Sequence, residues 1–183
     1  ALEKVFGSIR DYNGGLIAKQ DKALKENIKN HGFEPAGKRA LAVRNDKGAV
    51  KAIYIGVNDV VGIYDVPAAL NEIKTQLSQD FLSKTVFELS TTKLGKDDID
   101  NALIGWALSG YQFTKYKAKS VKQPALLWPA KANKKRVQAF AQSIYMLREL
   151  INIPTFDLGP AELETSAKAL PKKFKANISV IKD

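Results

Sequence analysis

Arg148-Glu149-Leu150-Ile151-Asn152-Ile153-Pro154-Thr155-Phe156-Asp157-Leu158-Gly159-Pro160-Ala161-Glu162-Leu163 joins two amphipathic segments through a short run dense in helix stop and start chemistry. Upstream of it Val137, Phe140, Ala141, Ile144, Leu147 and Ile151 recur at three- and four-residue steps, which predicts a helix with one buried stripe. Pro154 has no amide hydrogen and drives Ile153 out of the α region, so that helix ends there. Gly159-Pro160 then opens a second helix, because a first-turn proline gives up no bond and Glu162 faces the positive helix end. The stretch is therefore a joint, and the rest of the chain is read outward from it.

Toward the N-terminus the pattern alternates strand and helix, which predicts an α/β fold. Asp21 to Asn30 reads as a helix stopped by Gly32. Ala40 to Arg44 and Val50 to Val57 read as a β-hairpin around Asn45-Asp46-Lys47-Gly48, residues that tolerate left-handed backbone. The second strand is mostly apolar, as one covered on both faces would be. Pro67 to Leu77 predicts a helix with Ala69, Leu70, Ile73 and Leu77 inward, and Thr85 to Leu89 a strand. A helix follows with Ile99, Leu103, Trp106, Ala107, Gly110 and Tyr111 as its stripe. Ala125-Leu126-Leu127-Trp128 reads as another buried strand, and Asn133 as the cap of the long helix to Ile151. Beyond the joint, Ala161 to Leu170 predicts a helix ending near Pro171, with Leu163, Ala167 and Leu170 on one face. Asn177 to Ile181 alternates as a strand. One helix and one strand cannot bury themselves, so residues 153–183 read as the start of a truncated second domain.

At 183 residues the chain can build a substantial core, and with no cysteine it has neither disulfides nor a thiol nucleophile. No apolar run reaches membrane length and the N-terminus lacks a signal-peptide pattern, so a soluble cytoplasmic protein is expected. Net charge is +10, and from Phe113 to Arg136 there are eight basic residues and no acid: Lys115, Lys117, Lys119, Lys122, Lys131, Lys134, Lys135 and Arg136. Two readings stand. One is a nucleic-acid patch with Tyr111, Tyr116 and Trp128 as stacking groups; the other is a helix C-terminus favouring cations beside a solvated surface.

Lys96-Asp97-Asp98-Ile99-Asp100 brings three carboxylates close in sequence, but acids in a helix first turn offset its dipole, and a calcium loop needs more oxygen ligands and a late glutamate. His31 stands beside a helix-terminating glycine, without a visible catalytic partner. No glycine-rich phosphate loop follows a strand, Asn13-Gly14-Gly15 reads as a turn, and Gly-x-Ser-x-Gly is missing.

The joint resembles that of the leucyl (cytosol) aminopeptidases, which read roughly Arg-Asp-Leu-Ile-Asn-Thr-Pro-Ala-Asn-Asp and continue Leu-Gly-Pro-Ala-Glu-Leu into a metal-binding peptidase domain. Arg148, Leu150, Ile151, Asn152, Pro154 and Asp157 to Leu163 agree with it, while Ile153 and Thr155-Phe156 depart from it. A second block, Gly105 to Lys117, is similar to the family's glycine-tryptophan helix ending in Tyr-x-Phe-x-x-Tyr-Lys.

The resemblance implies a macro-domain-like mixed sheet flanked by helices at 1–131, a connecting helix at 132–152, and the start of the metallopeptidase domain at 153–183. It implies a homohexameric parent enzyme that hydrolyses N-terminal amino acids from peptides with two divalent metals, zinc or manganese. The family's metal-ligand segments have no counterpart here, so the resemblance assigns no catalytic residue, no metal ligand and no cofactor to this fragment. Likeness to macro domains raises an ADP-ribose pocket, although their asparagine-rich ligand loop is not recognisable.

Overall fold

The computed structural model describes residues 3–8, 26, 30, 32, 39–44, 47–56, 60–89, 94–117 and 121–181. Among them Ala40–Arg44 (β2) and Val50–Ile55 (β3) form the expected antiparallel hairpin, with Leu41 opposite Tyr54 and Ala42 opposite Ile53. Gly48 in its turn has φ +74°, a conformation that glycine takes at no steric cost. Beside β3 lies β1 (Glu3–Ser8), parallel to it and also parallel to β4 (Val86–Leu89); β5 (Ala125–Leu126) runs parallel to β4. The sheet order is β2-β3-β1-β4-β5, a mixed sheet with one antiparallel edge.

Parallel neighbours need crossovers, and helices supply them. Between β3 and β4 come α1 (Asp65–Gln76) and the short α2 (Gln79–Lys84); between β4 and β5 comes α3 (Lys96–Ser109). The core lies between the sheet and α1 and α3. Ala40, Ala42, Ile53, Ile55 and Phe87 from the strands meet Val66, Ala69, Leu70 and Ile73 of α1 and Ile99, Leu103 and Ile104 of α3. Each fully buried Ile or Phe contributes about 1.5–3 kcal/mol, so this layer contact outweighs any single polar bond in the molecule. Gly105 is where α3 passes closest to the start of α1. A Cβ there would sit 2.6 Å from the Ile63 carbonyl oxygen and 3.0 Å from Pro67 Cδ.

Outside α3 packs α4 (Lys134–Asn152), capped by Asn133, whose side chain accepts from the Arg136 amide at 3.1 Å. It ends where Pro154 requires, with Ile153 extended at φ −78°, ψ 125°. A turn follows, closed by the Asp157 and Leu158 amides on the Pro154 carbonyl. Then α5 (Pro160–Phe174) begins with proline in its first turn, and Glu162 accepts from the Gly159 amide at 2.9 Å.

Several expectations need correction. The stripe of α4 is only half covered: Val137 and Ala141 are buried and Ile144 partly so, but Phe140, Leu147 and Ile151 are exposed, Ile151 at 79%. The side of α4 that meets α3 runs instead through Val137, Ala141, Ile144, Tyr145 and Arg148, one step round the helix. Pro171 does not end α5, which continues to Phe174 and stops at left-handed Lys175. Proline gives up its own donor bond and crowds the carbonyl four residues back, and the helix runs only one further turn beyond it. Of the buried strand expected at Ala125 to Trp128 only Ala125–Leu126 pairs, and Ala125, Leu127 and Trp128 are exposed. The strand expected at Asn177 to Ile181 is not formed. An alternating segment becomes a strand only against a partner, and Ile178, Val180 and Ile181 are exposed with none.

The expected helix at Asp21 to Asn30 is described only at Glu26 and Asn30, both helical. His31, Lys119 and Asn13-Gly14-Gly15 lie outside the described residues. No helix among the described residues is long and apolar enough to cross a membrane.

Candidate functional site: a polar clamp at the helix joint

The two sequence blocks that stand out, Gly105 to Lys117 and Arg148 to Leu163, come together in space. The last turn of an α-helix leaves carbonyls that lack a full set of partners. At the end of α3 the Ala107 carbonyl accepts from the Tyr145 hydroxyl and the Leu108 carbonyl accepts from Arg148 Nη1 at 2.9 Å. Tyr145 and Arg148 stand three apart on α4 and therefore on one face. The Arg148 guanidinium also lies over the Tyr111 ring, 5.4 Å from its centroid, and Tyr111 meets Tyr145 edge-on at 5.2 Å. From the last residue of α4, Asn152 Nδ2 donates to the Tyr111 hydroxyl oxygen at 3.1 Å.

One turn further on, the Tyr116 hydroxyl donates to Asp157 Oδ2, and Lys115 Nζ lies 3.4 Å from the same oxygen. Lys115 also sits over the Tyr116 ring, which packs edge-on against Phe113. The Tyr116 hydrogen bond holds the Asp157 carboxyl below its usual range; loss of water opposes it, and Lys115 adds a lesser push downward. Loss of water and the Asp157 carboxylate push Tyr116 up. Desolvation would lower Lys115, but its bonds to Tyr116 and Asp157 outweigh that and raise it. Burial raises Tyr145, partly offset by Arg148.

The clamp thus runs from the end of α3 along α4 into the turn before α5. Sequence shows Arg148, Asn152 and Asp157 as part of a block; it does not show what they hold. Tyr145 gave no signal, because it lies beside the predicted stripe.

The acidic triplet does not converge. Asp98 is buried and accepts from the Gly95 amide at 3.1 Å and the Val61 amide at 3.0 Å, tying the loop before α1 to the start of α3. Asp100, 1% exposed, accepts from the Asn133 amide at 2.8 Å and from Arg136 Nη1 at 3.2 Å, tying α3 to the start of α4. Asp97 is exposed. Among the described residues no three His, Cys, Asp or Glu side chains are grouped to hold a metal ion.

The basic run separates into two kinds of residue. Lys115 and Arg136 are drawn into pairs with Asp157 and Asp100, and Arg136 also lies over the Phe140 ring. Lys117, Lys122, Lys131 and Lys135 are exposed, and Lys134 Nζ lies 5.2 Å over the ring of Trp128, itself 45% exposed.

A sequence profile of the M17 aminopeptidase N-terminal domain matches residues 12–129. Among solved structures the chain is similar to a cytosol aminopeptidase from Coxiella burnetii, with TM-score 0.71 and 24% identity over 100% of this chain and 38% of that one. It is also similar to the bottromycin maturation enzyme BotP, with TM-score 0.61 and 14% identity over 97% of this chain and 38% of that one. BotP is solved in complex with Mn as well, matched at TM-score 0.59 and 13% identity over 93% of this chain and 36% of that one. At these identities the solved structures establish the fold, and the chain spans well under half the length of each. Comparison with curated protein sequences gives no match.

Proposed function

Because the chain belongs to the family of M17 aminopeptidase N-terminal domains, we propose that it is the non-catalytic N-terminal part of a leucyl (cytosol) aminopeptidase. The longer protein releases N-terminal amino acids from peptides with two divalent metals, zinc or manganese, as a cytoplasmic homohexamer. In this reading residues 1–131 form a macro-like domain, 132–152 the connecting helix, and 153–183 the first part of the peptidase domain. The described residues do not fit a metal pair, so no catalytic step is assigned to them.

The role of this part is architectural, and the clamp carries that reading. Tyr145, Arg148, Asn152 and Asp157 bond residues of the Ala107 to Tyr116 segment, which fixes the exit direction of the chain into whatever follows α5. The test is enzymatic. The longer protein supplied with Mn²⁺ or Zn²⁺ is expected to release leucine from a leucyl peptide and to lose that activity on chelation, whereas the 183-residue chain releases none. Activity in the 183-residue chain, or none in the metal-supplied longer protein, overturns the proposal.

A second reading, nucleic-acid binding by the basic run, is favoured by one observation: exposed Trp128 beneath Lys134, in a stretch of sequence that has no acid from Phe113 to Arg136. Arg136 belongs to the Asp100 pair, so the informative variant is Lys131→Glu, Lys134→Glu, Lys135→Glu. Binding of a DNA duplex that falls steeply with salt and is lost in this variant supports it. Binding unchanged by both sinks it.

A further inference from the structure

In an antiparallel pair, alternate residues turn their N–H and C=O groups away from the partner strand, so an edge strand offers a row of unpaired groups. In β2, whose one neighbour among the described residues is β3, these are the groups of Ala40 and Ala42. Three of these four groups are taken up by side chains of α1. The Ala40 amide donates to Glu72 Oε2, the Ala42 amide donates to Gln76 Oε1 at 3.0 Å, and the Ala40 carbonyl accepts from Gln76 Nε2 at 2.8 Å.

Glu72 and Gln76 stand four apart on α1 and so on one face. The Gln76 amide does what one residue of an added parallel strand would do opposite Leu41: it donates to the carbonyl of the residue before and accepts from the amide of the residue after. Glu72 also pairs with Arg39, Nε to Oε1 2.7 Å, and Arg44 Nη2 reaches the Gln76 carbonyl at 3.3 Å. Together these residues line a shallow recess of about 320 Å³ along the edge.

We infer that Glu72 and Gln76 are an edge guard, a helix-borne substitute for a strand that keeps β2 from pairing with the β2 of a second copy of this chain. The second copy is the occupant the geometry favours, because Ala40-Leu41-Ala42-Val43 is an uncharged apolar run, short and identical in every molecule. Arg39 and Arg44 bracket it, and Arg39 is neutralised by the same carboxylate that closes the edge.

The test compares the 183-residue chain with its Glu72→Ala, Gln76→Ala variant. In the unaltered chain the Ala40 and Ala42 amides are expected to be protected from hydrogen exchange although they lie on an edge; exchange as fast as in an exposed loop overturns the inference. In the variant the two amides should exchange at least about tenfold faster, the loss of roughly one net hydrogen bond each. Sedimentation velocity should then show self-association that rises with protein concentration. Adding Ala42→Pro, which removes an outward donor and leaves the bonds to β3 alone, should reverse that association. A folded variant that sediments like the unaltered chain across the same concentrations overturns the inference, as does association that persists with Ala42→Pro.

Discussion

The sheet with α1 and α3 and the arm formed by α4, the joint and α5 contain similar apolar residues and treat them in opposite ways. In the first, Ile53, Phe87, Ile73 and Ile99 are fully enclosed. In the second, Leu147, Ile151, Phe156 and Leu163 face solvent, Phe156 at 82% exposure, and no described residue of α5 is buried. An apolar side chain stabilises a fold only in proportion to the area it loses to water. The arm therefore gains little from its own hydrophobic residues and is held by the polar clamp and by the contact of Val137 and Ala141 with α3. A stripe in the sequence marks where burial is available. It does not say that the burying partner belongs to the same stretch of chain.

This contrast can be broken most forcefully at Phe87. Phe87→Ala should lower the stability of the body by about 3–5 kcal/mol, read as a fall in the urea midpoint. Asp100→Ala removes the buried acceptor of the Asn133 amide and of half-exposed Arg136 and should cost about 1–3 kcal/mol. Its signature should include loosened exchange protection in the first turn of α4. Gly105→Ala drives a methyl group against the Ile63 carbonyl and should cost about 1–3 kcal/mol through displacement of α3 from α1.

Acid should sharpen the comparison through the Asp157 bond that holds the arm. Asp157 has a folded-state pKa depressed below 3.8, so its contribution is complete above that value and is lost as pH falls through the lower folded one. Spectra of Tyr116 and of the 153–159 turn should change in that acid window, and Asp157→Asn should abolish the change without moving the melting of the body. Smallest of all, Phe156→Ala should shift global stability by no more than about 0.5 kcal/mol. A loss comparable to that of Phe87→Ala would mean that the arm has a core of its own.

Much of the fold was legible in the sequence where the cause was local. The hairpin around Gly48, the stop at Pro154, the start at Gly159-Pro160 and the Asn133 cap each depend on the backbone chemistry of one or two residues, and each stands where it was read. Asp97 and Asp98 stand in the first turn of α3, where local helix-end chemistry places acids. The bonds of Asp98 to Val61 and of Asp100 to Arg136 reach across more than thirty positions, and nothing in a local window reveals them.

The central strand β1 was missed for the same reason. Glu3-Lys4-Val5-Phe6-Gly7-Ser8 has only two strongly apolar residues, and it becomes a strand because Ala52 to Ile55 and Val86 to Leu89 lie on either side of it. The α4 stripe was misplaced by one step round the helix, since Phe140, Leu147 and Ile151 fit a helical period as well as the residues that meet α3.

By itself, then, the sequence determined the hairpin around Gly48, the Asn133 cap, the stop at Pro154, the start at Gly159-Pro160, and the family blocks at Gly105 to Lys117 and Arg148 to Leu163. Tertiary structure decided the order of the sheet, which face of α4 is covered, and that the two blocks close on each other through Tyr145, Arg148, Asn152 and Asp157. The division has a physical origin. Capping, proline and glycine act within a few residues, whereas strand pairing and burial depend on which distant segment arrives to remove the water.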